Sequence, residues 1–380
     1  MTPKLRFPLY NQPFVKKSIN EILTIGSGKD YKHLSKGEIP VYGTGGLMTT
    51  VNDHLYDGES VGIGRKGTID KPIFLKGKFW TVDTLFYSHS FEDVDPYYVF
   101  TLFQQINWKK YNEASGVPSL SKTTVGAIQV YVPRIEEQLR IRSLFEAVDQ
   151  KINLLTKKKE ALESYKKGLM QKIFSQELRF KREDGSDYPE WEYLPLEAFC
   201  EVIRGITYNS GNVISDGGTL VLRSTNIQSN KLDFSEGTKQ FIDVTPKSKL
   251  VLKDKDIIVC MSNGSKRLVG KSAVFYQSDY NGIITAGGFC AIFRSENSLT
   301  PYLLQSPMWK RYLHIILAGS SINNLRNNEV SQLRFQVPSK EEVQRINKLF
   351  GAIDKRTECV SSQINETSEM KKGLLQQMFV

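Results

Sequence analysis

Residues 132–174 align without a gap on residues 337–379, at an offset of 205, with sixteen of 43 positions identical. A repeat this long means the chain is built from two copies of one unit, and any fold proposed for it must contain that unit twice. The identities include an opening Val-Pro, the pairs Glu136-Glu137 and Glu341-Glu342, Leu-Phe at 144 and 349, and Lys-Lys-Gly-Leu starting at 166 and 371. A shorter echo links Leu5-Arg6-Phe7 to Leu178-Arg179-Phe180, the second directly after the first long copy. The chain thus reads variable, repeat, variable, repeat.

Both copies have helical periodicity. Ile141, Val148, Leu155, Leu162 and Leu169 lie seven apart, with Phe145, Ile152 and Ile173 four residues later on the adjoining seam. The second copy keeps Ile346, Ile353, Val360 and Leu374, flanked by Phe350, Ile364 and Met378. Proline disfavours helix at the residue before it and suits the first helical turn, so each Val-Pro predicts a helix start. About 43 residues at about 1.5 Å rise give a rod on the order of 65 Å. Between residues 134 and 182 there are thirteen Lys or Arg and seven Asp or Glu, clustered at 157–159 and 166–167. Such faces leave little surface to enter another core. The simplest arrangement is two long antiparallel helices in an intramolecular coiled coil, with the lysine clusters as solvated faces.

The segments between, residues 14–131 and 191–336, are rich in Gly, Thr, Val and aromatics and hold short strand-like runs broken by turns. Faint parallels align Ile39-Pro40-Val41-Tyr42 with Leu220-Val221-Leu222-Arg223, Ser60-Val61-Gly62-Ile63 with Asp256-Ile257-Ile258-Val259, and Thr81-Val82-Asp83-Thr84 with Thr285-Ala286-Gly287-Gly288. Similar closing stretches, 116–132 and 321–337, place Leu120 over Leu325 and Val125 over Val330. The expectation is a mixed α/β (α+β) fold with two diverged copies of one domain. Two loops in them combine glycines with polar and basic side chains: Gly62-Ile63-Gly64-Arg65-Lys66-Gly67-Thr68 and Ser262-Asn263-Gly264-Ser265-Lys266-Arg267. Glycine lets backbone approach a ligand closely, and these side chains pair with phosphates and base edges. Tyr42-Gly43-Thr44 and Arg223-Ser224-Thr225-Asn226 offer similar chemistry beside them.

Charge points the same way. Lys plus Arg outnumber Asp plus Glu by 51 to 41, a formal +10 over 380 residues, which favours a polyanionic partner. The apolar runs, such as 257–261 and 315–318, are far shorter than the roughly 18 residues of a membrane span. Four scattered cysteines without a CxxC pair, behind an amino terminus with no apolar signal region, make a reducing cytoplasm the expected home.

Catalytic patterns fail one by one. Asp95-Pro96-Tyr97-Tyr98 lacks the second proline of an amino-methyltransferase loop and reads as a turn. Gly26-Ser27-Gly28-Lys29 lacks the first glycine of a phosphate loop, with Leu23 in its place, and has Asp30 where a magnesium-binding hydroxyl belongs. His33, His54, His89 and His314 show no zinc spacing, and no GxSxG elbow occurs. The expectation is a chain without catalytic residues and without a metal or cofactor of its own.

With two variable domains, a gapless helical repeat opening Val-Pro-x-x-Glu-Glu and closing Lys-Lys-Gly-Leu-x-Gln, and the Leu-Arg-Phe echo, the chain resembles the specificity subunits of type I restriction-modification systems over essentially its whole length. In that family the opening is read as proline followed by Glu-Gln; Glu137-Gln138 keeps it and Glu342-Val343 departs. The resemblance implies target recognition domains at residues 1–131 and 178–336, and spacer helices at 132–177 and 337–380. It implies double-stranded DNA as partner, one half of an asymmetric bipartite site being read by each domain. It also implies two methyltransferase subunits carrying S-adenosylmethionine, and restriction subunits using ATP and magnesium. The residues expected to face DNA are Tyr42, Thr44, Arg65, Lys66, Thr68, Arg223, Ser224, Asn226, Asn263, Ser265, Lys266 and Arg267. Three alternatives stand beside this reading: a degenerate methyltransferase, a coiled-coil scaffold binding protein rather than DNA, and a specificity subunit of a related system with fused nuclease and methylase partners.

Overall fold

The structure is a computed structural model that describes residues 2–318 and 323–380; Ser321, in the second closing stretch, lies outside them. The chain divides into two compact units, one running up to Lys159 and completed by Cys359–Val380, the other Glu160–Glu358.

In the first unit an antiparallel sheet holds, in spatial order, Thr24–Ser27, Leu85–His89, Ser60–Gly64 and Ile73–Leu75. A second sheet holds Gly46–Val51, Ile39–Gly43, Lys78–Thr81 and Tyr56–Asp57, its two central strands parallel. A ribbon pairs Val15–Ser18 with Gln129–Val132. Helices α1 (Pro96–Phe103) and α2 (Lys122–Ala127) precede α3, which runs Ile135–Phe174. Asp95-Pro96 is therefore a helix start and not a turn: the Asp95 side chain accepts from Tyr98 N, and proline occupies the first helical turn.

The second unit repeats this plan. One sheet orders Cys200–Arg204, Cys290–Ser295, Ile257–Cys260 and Ser272–Val274. The other orders Val213–Ile214, Phe241–Ile242, Thr219–Leu222 and Ile284–Ala286, with the last two parallel. Glu192–Pro195 pairs with Arg334–Val337. Helices α4 (Thr300–Leu303), α5 (Pro307–Ala318), α6 (Asn327–Ser331) and α7 (Lys340–Met378) follow. In each unit Val-Pro is the joint where a strand ends and a long helix begins.

Hydrogen bonds fix the correspondence between units. Lys29 N donates to Thr81 O (2.9 Å) as Ile206 N does to Ala286 O (2.7 Å), and Val82 N to Tyr42 O as Gly287 N to Leu222 O. Gly64 faces Leu85 across its ladder as Cys260 faces Cys290. The helical offset of 205 thus reaches back to Thr81 and Ala286. The alignment of Ser60–Ile63 with 256–259 holds, but the other two parallels are one residue out: Thr81 matches Ala286, not Thr285, and Tyr42 matches Leu222, not Arg223. A one-residue slip in a strand exchanges its two faces, so local resemblance between β-branched residues cannot fix register.

The hydrophobic cores run from the sheets into the long helices. In the first unit Ile141 and Phe145 of α3 pack with Leu375, Met378 and Phe379 and with α1, where Tyr98 stacks on Phe379. In the second, Met170 and Ile173 of α3 meet Val343, Ile346 and Phe350 of α7. Within each unit the start of one helix lies beside the end of the other, so the pairing is antiparallel. Of the seam residues, Ile141, Phe145, Val148, Ile346, Phe350, Ile353 and Val360 are buried, while Ile152, Leu155, Leu162, Leu169 and Leu374 are half-buried. Two causes act. A pair of helices cannot enclose its own seam, and a helix of 3.6 residues per turn drifts about 20° per heptad from a strict seven-residue repeat. After four heptads the neighbouring residue has rotated into place: Met170 and Leu375 are buried where Leu169 and Leu374 are not.

The repeated polar residues lock this geometry. Lys371 pairs with Asp149 (2.7 Å), whose other oxygen accepts from the Tyr97 hydroxyl (2.7 Å). Lys166 pairs with Asp354 (2.6 Å), which accepts from Tyr302 (3.0 Å). All three residues recur at the offset of 205, each set tying both helices to its own domain. The Leu-Arg-Phe echo has a similar basis. Arg6 donates twice to buried Glu137 (2.8 and 2.7 Å), and Arg179 reaches buried Glu342 (3.2 Å), which also accepts from Trp191 Nε1. Gln138 bonds Asp95 N at the start of α1, whereas Val343 joins the apolar core, so the departure at position 343 substitutes packing for a polar link.

The four cysteines are free, with Cys200, Cys260 and Cys290 buried. Burial pushes the Cys200 thiol up to about 12, leaving it protonated at neutral pH. Among the described residues no helix is long and apolar enough to cross a membrane, and no group of three His, Cys, Asp or Glu is placed to hold a metal.

Candidate nucleic-acid interface

Each unit gathers its candidate residues at the same strand ends. In the first, Arg65 N and Lys66 N donate to Thr84 O, Gly67 N to Pro118 O, and Leu120 N to Arg65 O. In the second, Met261 N and Ser262 N donate to Phe289 O, Asn263 N to Asn323 O, and Leu325 N to Met261 O. The two loops of mixed chemistry are therefore one structural element used twice. Their cations stand at different places in it: Arg65 corresponds to Met261 and Lys66 to Ser262, while Lys266 and Arg267 lie further along. Equal scaffolds with unequal side-chain registers suit the reading of two different sequences.

Glycines allow these loops to pack. A Cβ on Gly64 would fall 2.0 Å from Thr68 O, and Gly67 adopts φ +94° beside Thr44. Tyr42 and Thr44 are half-buried next to this turn, as is Thr68, whose backbone forms it. Arg65 and Lys66 are exposed; the Arg65 guanidinium sits 6.0 Å from the centre of the Phe86 ring and touches Asp83 O at 3.4 Å, a long and weak contact. Both cations are available to a ligand.

In the second unit Asn263 Nδ2 donates to Ser224 Oγ (3.0 Å), joining the two candidate loops, and Asn263 Oδ1 accepts from Ser265 N. Arg267 and Ser265 are exposed, and Arg267 has no side-chain partner among the described residues. Lys266 is exposed along its stem, but its ammonium donates to Leu317 O at the end of α5, where a cation favours the helix terminus. Arg223 is half-buried and donates to Thr238 O (3.1 Å).

Asn226 does not face solvent. It is 1 % exposed, accepts from Arg223 N, and donates to Asp233 O and Thr238 O, so its carboxamide is used in closing the loop. The expectation that it contacts DNA is corrected: an Asn in a polar loop is as often a turn-closing residue, and sequence does not distinguish the two. Asn226→Ala is expected to destabilise the second unit by about 1–3 kcal/mol through unsatisfied buried groups. Urea denaturation measures it, and an unchanged midpoint would show that the loop does not depend on these bonds.

Two further residues belong to this cluster. Arg204 donates to Gly288 O (2.8 Å) and Leu325 O (3.2 Å), pinning the loops together from below. Phe289 projects from the same cluster and is 72 % exposed. Its position after Gly287-Gly288 is a turn signal, but nothing in the sequence shows an aromatic side chain left outside.

Sequence comparison matches the family described as Type I restriction modification DNA specificity domain over residues 11–164 and again over 188–369. The chain belongs to this family. It is a specificity subunit with two target recognition domains. Among relatives, the type I restriction enzyme MjaVIII specificity subunit of Methanocaldococcus jannaschii is 24 % identical over 345 residues, covering 84 % of this chain and 76 % of the relative. The EcoKI specificity subunit of Escherichia coli K12 is 25 % identical over 175 residues, 43 % of this chain and 37 % of its own length. The fold of the specificity subunit matches the crystal structure of a type I restriction-modification S subunit from M. genitalium with a TM-score of 0.65 at 13 % identity, covering 100 % of this chain and 99 % of that one. A second structure, described as bearing on complex assembly and conformational transition of the type I system, gives 0.53 at 15 % identity over 97 % of both chains.

Proposed function

We propose that the domains within residues 1–131 and 178–336 each read one half of an asymmetric bipartite DNA site, with the paired helices as spacer. The observation that carries this is the loop element built twice on one hydrogen-bond pattern, with exposed cations at positions that differ between its copies. Arg65, Lys66 and Arg267 are the contact residues favoured by exposure; Lys266 contributes charge from its place at the end of α5. In this reading the chain is non-catalytic: methyltransferase subunits supply S-adenosylmethionine, and restriction subunits supply ATP and magnesium.

A feature of the repeat supports two equivalent protein partners. Glu136, Arg140 and Ala147 on the solvent side, with Leu144 half-buried at the edge of the core, lie four, four and three residues apart in the order Glu136, Arg140, Leu144, Ala147 on one arc of α3, and recur as Glu341, Arg345, Leu349 and Ala352 on α7. In the second unit Arg345, Leu349 and Ala352 line a surface depression with Phe180. A largely solvent-facing arc retained twice fits one methyltransferase subunit per copy.

The test is co-expression with the methyltransferase subunit and mapping of modified adenines. One bipartite motif is expected, lost when Arg65, Lys66 and Arg267 are all replaced by Ala. In salt titrations each lost phosphate contact should flatten the slope of log affinity against log salt by about 0.9, whereas a lost base contact should relax the motif at one position. Methylation indifferent to this chain would reject DNA recognition, and an affinity insensitive to salt would favour the protein scaffold.

A further inference from the structure

We infer that Phe289 is an apolar wedge that stacks against the bases of the DNA half-site read by the second domain; this rests on the DNA reading above and adds a mode of contact to it. The residue is anomalous for three reasons. At 72 % exposure it is the most exposed aromatic side chain of the second unit among the described residues, and it makes no ring contact there. Its backbone is held on every side: Phe289 O accepts from Met261 N (2.9 Å) and Ser262 N (3.0 Å), Gly288 O from Arg204 Nε (2.8 Å), and Cys290 N donates to Gly287 O (2.7 Å). The exposure is thus imposed by a stiff turn. Finally, the fold does not call for an aromatic here, because the equivalent residue of the first unit is Thr84, whose carbonyl accepts from Arg65 N and Lys66 N in the same way.

A rigid turn that holds a phenyl ring in water forgoes the burial that normally stabilises such a side chain. The loop bonded to this turn points to the partner. Its carbonyl is bonded to the loop that leads through Ser262 and Asn263 to Lys266 and Arg267, and Asn263 ties in Ser224. An exposed apolar ring carried by the turn that bonds this polar and basic loop is complementary to a nucleic acid, which offers phosphates outside and flat apolar base faces inside. Proteins that distort duplex DNA insert Phe between base steps in this manner, and stacking on bases is tolerant of sequence. Because Thr84 stands at the matching place, the distortion belongs to one half-site alone.

The experiment uses the full chain assembled with its methyltransferase subunits, and a duplex carrying the motif obtained from methylation mapping, with 2-aminopurine placed in turn along each half-site. With the wild type, fluorescence should rise at a step of one half-site and not in the other. Phe289→Ala should abolish that rise and weaken binding about 10- to 100-fold with the salt slope unchanged, while Phe289→Trp should keep both. Equal affinity and fluorescence for Phe289→Ala and wild type would overturn the wedge while leaving DNA recognition intact. Loss of the methyltransferase subunits from the Phe289→Ala assembly would overturn it too, by making the ring a protein contact. A wild-type assembly that binds no duplex would instead sink the DNA reading on which the wedge rests.

Discussion

Arg6→Ala is expected to destabilise the first unit by about 3–5 kcal/mol, because it leaves the Glu137 carboxylate buried without its counter-charge. The Glu137 side chain is only 2 % exposed and receives both Arg6 bonds, at 2.8 and 2.7 Å. Taking that carboxylate out of water is costly, and the bidentate guanidinium is what offsets the cost. The double variant Arg6→Leu with Glu137→Leu removes charge and counter-charge together and should recover most of the loss. Arg179→Ala should cost less, since Glu342 keeps the Trp191 bond. Urea denaturation of the three variants decides: a single variant Arg6→Ala within about 1 kcal/mol of wild type would mean that water reaches Glu137 and that the pair is a surface one.

Phe350→Ala is expected to cost the second unit about 3–5 kcal/mol, and Phe145→Ala the first unit a similar amount. Both rings are fully buried. Phe350 packs on Tyr302 at 4.9 Å and Phe174 at 6.4 Å, and Phe145 lies 6.2 Å from Phe379. Neither cavity can collapse easily, because each ring sits between a helix pair and a domain. If the helices were only an external spacer, the same substitutions would loosen the coiled coil and spare the domains. Since the cores are continuous, each variant should lower the unfolding transition of its own unit. Calorimetry of a chain with two units need not show one transition, so the comparison is of peak against peak. A loss shared equally by both transitions in each variant would contradict separate cores.

Much of this architecture is legible in the amino-acid sequence. The helices follow from apolar periodicity, which reports on burial, their starts from Val-Pro, and the antiparallel pairing is the simplest arrangement for two such helices with charged outer faces. The second domain as a copy of the first was visible, but its register was not: Tyr42 aligned with Arg223 by resemblance and with Leu222 by hydrogen bonding. The Leu-Arg-Phe echo was visible without its reason, which is an arginine closing on a glutamate 131 residues away in one copy and 163 in the other. Lys166 and Lys371 stand among the identities of the repeat, but their role does not show there, because Tyr97 and Tyr302, which complete each set with Asp149 and Asp354, lie outside the aligned segment.

A doubled unit, long paired helices and loops charged for an anionic partner can all be read from the amino-acid order. These are properties of composition and period, written into neighbouring residues. Which polar side chains remain free is set by the folded chain. Arg65, Lys66 and Arg267 stay exposed, Asn226 is used up in closing its own loop, the Lys266 ammonium binds a helix end, and Phe289 is held in water. A side chain's freedom depends on what distant segments bring beside it, and that is set by the backbone bonds of the fold.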